Sequence, residues 1–157
     1  MRPMLAPALL ASAMLGTACG RPFDLRTAPG FIELQDQDPD YGYRATTPEG
    51  VVVGVKAVRL EGEGSQDIAF WQRALTLQLR DVSGYALTGE RAVRSLDGVP
   101  GKELRFGHDE AGKPFSYWLT FFVSGKRLIL VEAGGPSAQF ERYQASVEWM
   151  EKSIKVR

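Results

Sequence analysis

An α+β fold, a mostly antiparallel sheet of six or seven strands with helices over both faces, is predicted by three observations. The stretch from Pro114 to Val123 is apolar in both phases of a strand, with Phe115, Tyr117, Leu119, Phe121 and Val123 on one face and Trp118 and Phe122 on the other. Arg127 to Val131 is again apolar on both sides. An open antiparallel sheet usually leaves one face to water, so strands of this kind need a layer above and a layer below. Two helical periodicities supply those layers: Ile68, Trp71, Leu75 and Leu79, then Phe140, Tyr143, Val147 and Met150. The expected product is an α/β/α sandwich.

The chain opens differently. Arg2 is followed by an apolar run from Met4 to Leu15, broken only by Pro7. About a dozen residues cannot cross a bilayer, which needs about 20, and the pattern fits an export signal over residues 1–18. Small residues lead to Cys19, the only cysteine. Leu15-Gly16-Thr17-Ala18-Cys19 resembles a bacterial lipoprotein signal, with the leucine one place further from the cysteine than that motif has it. The resemblance implies cleavage before Cys19, a diacylglycerol on its sulfur and an acylated amine. Two or more chains hold a protein stably on a bilayer where one would not. Gly20, rather than an aspartate, follows the cysteine, which within that group favours the outer membrane. Gly16 and Ala18 also satisfy the small-x-small rule of the ordinary signal peptidase, so cleavage without lipid stays open, as does an uncleaved anchor.

From Cys19 the mature chain has 139 residues (157 less 18), enough for one core, and no second cysteine for a disulfide. The full chain carries 19 basic and 19 acidic residues; losing residues 1–18 removes Arg2 and no acid, leaving a formal charge of −1. Such a balance gives no footprint for nucleic acid.

In chain order, Gly20 to Pro29 holds Pro22 and Pro29 and little periodicity, and reads with Cys19 as a tether (19–29) before a single domain over 30–157. Fully extended, about ten residues reach about 35 Å. Phe31 to Gln35 reads as a half-buried strand with Ile32 and Leu34 inward, and Asp36 to Asp40 as an acidic turn. Tyr41 to Ala45 and Val51 to Leu60 form a hairpin across Thr47-Pro48-Glu49-Gly50, which has proline and glycine where a type I turn favours them. Ser65 is the expected N-cap of the first helix, with Asp67 favouring its positive end, and Phe70, Ala74 and Leu77 widen its apolar stripe as far as about Asp81.

Tyr85 to Ser95 returns to extended alternation, with Tyr85, Leu87 and Val93 in phase. After the turn Asp97 to Gly101 comes a strand, Lys102 to His108, with Leu104 and Phe106 on one face. Asp109 to Gly112 turns into the most apolar strand, Ser124-Gly125 is a two-residue hairpin loop, and Gly134-Gly135-Pro136 is a break. Ser137 is the expected cap of the last helix, which ends near Lys152, and Ser153 to Arg157 is extended. Trp149 falls off the helix's apolar stripe and marks a candidate contact surface.

This order of elements is similar to the Mog1/PsbP-like proteins, which include bacterial lipoproteins. The matching residues are Pro29-Gly30-Phe31, Tyr43 with Pro48-Glu49-Gly50, a helix with Trp71, and Gly101 before a strand; then Tyr117 through Phe122-Val123, Gly125-Lys126-Arg127, and Phe140 before a helix closing on Ser153. The resemblance implies that fold and a binding or assembly role rather than catalysis, and carries over no functional residue.

Chemistry is sparse. His108 is the only histidine, so a zincin pattern cannot be assembled, and a Ser-His-Asp or Cys-His set would have to use it, yet no serine stands in a nucleophile-elbow pattern. His108 reads as an exposed strand-end residue beside Asp109. Carboxylate pairs distant in sequence remain open as acid–base sets. Asp36, Asp38 and Asp40, with Glu33 upstream, are candidate calcium ligands, although a calcium loop begun at Asp36 lacks its glycine at Tyr41 and its glutamate at Thr47. No cofactor is expected. The expected function is a lipid-anchored envelope domain, held through Cys19, that binds a partner or supports an assembly without catalysis. Its rival is a small-ligand-binding or carboxylate-based hydrolytic domain.

Overall fold

The computed structural model describes residues 20–35, 38–62 and 67–157. Cys19, Asp36 and Ser65 therefore lie outside the described residues.

Among the described residues nine strands and two helices follow one another: β1 (Phe23–Asp24), β2 (Ile32–Glu33), β3 (Tyr43–Thr46), β4 (Val52–Arg59), α1 (Ile68–Leu77), β5 (Ala86–Arg94), β6 (Pro100–Glu110), β7 (Lys113–Ser124), β8 (Arg127–Pro136), α2 (Ser137–Ser153) and β9 (Lys155–Val156). A π-helical turn, Gln78–Val82, extends α1. Seven strands form one sheet in the order β2-β3-β4-β8-β7-β6-β5, every neighbour antiparallel. The long strands β7 and β8 lie at its centre, where residues apolar in both phases have to be.

Alternation along these strands divides the core in two. On one face Val53, Val55, Trp118, Phe122, Ile129 and Val131 meet Phe140, Val147 and Met150 of α2. On the other, Leu104, Phe106, Phe121 and Leu128 meet Ile68, Trp71 and Leu75 of α1. The sandwich is therefore as expected, and the β3–β4 hairpin closes as a turn with Gly50 N donating to Thr47 O at 3.1 Å.

Several local expectations give way. Gly20 to Pro29 is not a tether throughout: Phe23 is 1% exposed, Ala28 is buried, and β1 pairs with β9 in a second, two-stranded sheet. Short proline-flanked strands carry little periodicity, and only a partner from the far end of the chain makes them visible. Phe31 is buried while Ile32 is exposed, the reverse of the expected phase. Phe70 and Leu77 of α1 face water, so the buried stripe is narrower than the apolar one. A register shift between Leu87 and Gly89 puts Tyr85 and Val93 on opposite faces, because a bulge resets the period of two. Asp67, not a serine, caps α1 by accepting from Ala69 N at 2.8 Å. Ser137 does not cap α2; its hydroxyl meets that of Ser116 at 3.0 Å.

Both tight hairpins sit one place from where the sequence reading has them. The β6–β7 turn is Ala111-Gly112 with φ of 51° and 78°, and the β7–β8 turn is Gly125-Lys126. Gly134 and Gly135 are not a break but lie within β8.

Candidate functional site

Glycines inside a strand mark places where something comes close to the backbone. On the α1 side of the sheet, beyond the reach of that short helix, Gly54 of β4 and Gly134 and Gly135 of β8 floor a cleft of about 370 Å³. The ring of Tyr41 lies across Gly54, so closely that a Cβ there would stand 2.6 Å from Cε1. A Cβ on Gly135 would stand 3.1 Å from the carbonyl of Gly50. The volume lies within the range of small-molecule sites, about 300–1,000 Å³.

Glu132 of β8 organises the polar side. Tyr41 donates to its Oε2 at 2.7 Å, Tyr117 donates to its Oε1 at 2.8 Å, and Lys56 Nζ lies 3.4 Å from Oε2. Lys56 also stands 4.2 Å from the Tyr41 ring centre, with Arg44 at 5.2 Å, so two cations share one aromatic ring. Burial, and then the Glu132 charge, hold the Tyr117 hydroxyl far above its ordinary range. Burial likewise raises Tyr41, against the opposing effect of Lys56. For Lys56 burial works downward, but the hydrogen bond it donates to Tyr41 and the charge of Glu132 outweigh it and the ammonium is stabilised. Both hydroxyls therefore stay donors, and Lys56 a cation, at neutral pH.

The opposite wall is aromatic. Tyr85 and His108 stack at 4.1 Å and 3°, Phe115 continues the stack at 5.4 Å, and Tyr117 meets Tyr85 edge-on at 5.5 Å. His108 is thus half-buried between two rings rather than the exposed strand-end residue expected. Replacing Tyr117 by Phe should cost about 1–2 kcal/mol in urea denaturation, because Oε1 of Glu132 loses a donor in a partly dry site. Tyr41→Phe should cost less, since Lys56 still serves Oε2.

A second cluster lies on the α2 side. Glu103 of β6, 1% exposed, accepts from Arg91 at 2.8 Å and from Arg105 at 2.5 Å. Arg105 also donates to Glu148 at 3.2 Å and lies 3.7 Å over the ring of Trp118. Glu151 of α2 accepts from Thr120 at 3.0 Å through Oε1, while its buried Oε2 has no partner among the described residues. Burial first, then the charge of Glu103, push the Glu151 carboxyl up to about 8. A proton on Oε2 shared with Glu103 gives that oxygen its partner and lets two carboxyl groups lie together. The residues are 48 positions apart, and nothing local in the sequence announces the pair.

Of the calcium candidates, Asp36 lies outside the described residues. Asp38 accepts from the backbone amide of Asp40 at 3.1 Å and faces Arg44 at 3.9 Å, and Glu33 faces Arg21 at 3.9 Å. Trp118 is core, Trp71 is half-buried, and Trp149 is 45% exposed.

No protein-family model matches the chain, and no curated protein does. Solved structures do. An antiparallel sheet between two helices is an α+β fold, and it is similar to that of PsbP-like structures. It superposes on the solution structure of the cyanobacterial PsbP, CyanoP, of Synechocystis with a TM-score of 0.55, covering 89% of this chain and 96% of that one at 10% identity. LpqN of Mycobacterium tuberculosis, described as involved in cell envelope biogenesis, matches with a TM-score of 0.57 over 85% and 82% of the two chains at 12% identity. PA94 of Pseudomonas aeruginosa, of unknown function, matches with a TM-score of 0.54 over 89% and 88% at 11% identity.

Proposed function

We propose that this is an exported protein of the bacterial envelope, held on a membrane, in the first instance the outer one, by lipid on Cys19, and that it works without catalysis by receiving a segment of a partner protein in the Glu132 cleft. The cleft is the observation that carries this reading. Its aromatic wall of Tyr85, His108 and Phe115 offers stacking, and its polar side is held in place by Glu132. Such a set recognises a ligand and has no poised nucleophile. LpqN, a similar fold described in envelope biogenesis, supports the address. Two results are expected from the anchor: an acylated N-terminal Cys19 in the mature protein, and loss from the membrane fraction on Cys19→Ser. An unmodified protein in the soluble fraction would defeat it.

The cleft's volume also suits a small ligand, and photocrosslinking separates the two occupants. A photoreactive phenylalanine analogue at position 115 should give one reproducible protein adduct on native membranes, absent when the analogue stands at position 73 on α1. A small molecule that copurifies, with no protein adduct, would favour the ligand reading.

A further inference from the structure

At the far end of the sheet from the cleft, the chain forms a second concavity of about 640 Å³. Arg59 at the end of β4, Lys126 and Arg127 at the β7–β8 turn, and Arg157 beyond β9 supply its charge, and none of the described lining residues has a carboxylate side chain. Arg59 and Arg127 are register partners on neighbouring strands, where like charges repel unless an anion offsets them. Arg157 has such an offset in its ion pair with Asp24. In a chain whose charges balance overall, this is segregation.

Gly20 and Pro22 complete the wall. Cys19 is thus joined directly to a lining residue, about 3.8 Å away from Cα to Cα, and only four residue steps, about 14 Å, separate it from the buried Phe23. A lipid there would hold the groove within about two Debye lengths of a bilayer, which are about 8 Å each at physiological salt.

We propose that this basic groove is a membrane-seating surface that takes the phosphate oxyanions of anionic phospholipid headgroups. The proposal rests on the anchor reading for its delivery to the bilayer, and on the four cations for its chemistry. It also orients the domain. The groove and the cleft lie toward opposite ends of β7, about 30 Å apart along the strand from Phe115 to Ser124, so seating one on the membrane presents the other to the aqueous side.

The test uses the mature chain from residue 19 with Cys19→Ser, so that no acyl chain contributes. It should cosediment with vesicles of mixed phosphatidylglycerol and phosphatidylcholine, but not with phosphatidylcholine alone, and should release as salt is raised. Lys126→Gln with Arg127→Gln should weaken binding by about thirty-fold, the factor for two cations at about 1 kcal/mol each. Lys113→Gln, at the opposite end of β7, should change nothing. Equal binding to both vesicles, none to either, or an unaffected double variant would overturn the proposal. Full competition by inorganic phosphate would overturn it in favour of a soluble anion. If native Cys19 proves unmodified while vesicle binding persists, the anchor fails and the groove stands.

Discussion

Between about pH 5 and pH 8 the protein should lose stability that a Glu151→Gln variant keeps. Glu151 is ordinary near 4.5 when exposed and holds its proton to about 8 in the fold. The folded state therefore binds more protons than the unfolded state across that window, so stability is fully present below the lower value and falls as pH rises through it. The slope is on the order of 1 kcal/mol per pH unit for one such group. Gln at this position keeps an oxygen for Thr120 and offers Glu103 an N–H that does not titrate. The two proteins should thus be close in denaturation midpoint at about pH 5, and the variant ahead by a few kcal/mol above about pH 8. The difference between the two is the readout; Asp97, whose hydrogen bonds from Ser95 and Val156 hold its carboxyl low, adds its own pH dependence only below this window, as pH falls through the ordinary range of an aspartate. Parallel curves would mean that Glu151 carries no special proton.

The second large effect is expected far from either cavity. Phe23→Ala should cost about 3–5 kcal/mol, the usual toll of emptying a buried aromatic site, and lower the thermal midpoint by roughly 10–20 °C for a chain of this size. Phe23 faces Val156 across the β1–β9 pair, and Arg157 N donates to Pro22 O at 2.9 Å. Ser153 Oγ accepts from Arg26 N at 3.0 Å, and Asp97 accepts from Val156 N at 3.1 Å. The two chain ends thus hold one another over the core. A loss below about 1 kcal/mol would return residues 20–29 to the role of a tether.

That pairing shows where legibility stops. Central strands were readable because Phe121 and Phe122 point to opposite faces and both must be covered, an argument internal to ten residues. Helix identity was readable from Trp71 and Val147 and their spacing, and Trp149 from its place off the stripe. Hairpin positions were readable to within one residue, since turn chemistry names a region and the register between strands chooses the residue. Phe23 was not readable, because its partner is at the other end of the chain. Nor was Ile32, whose side is decided by how the edge strand docks on β3.

The candidate sites divide in the same way. Cys19 was visible because a signal boundary is read in one dimension. The Glu132 cleft was not, although the glycine pair in β8 carried a hint; Tyr41 precedes β3, Lys56, Glu132 and Tyr117 lie on β4, β8 and β7, and the four converge only when those strands are laid side by side. The Glu103–Glu151 pair needed α2 to pack on β6 and β7 before one carboxyl could raise another. By itself, then, the sequence determined the α+β class, the two covered faces and the hairpins, because periodicity and turn chemistry are local properties. The tertiary structure alone decided the cleft, the buried carboxyl pair, the clasp of the chain ends and the basic groove beside Gly20. Each of those depends on distances between residues remote in sequence, and distance is what folding adds.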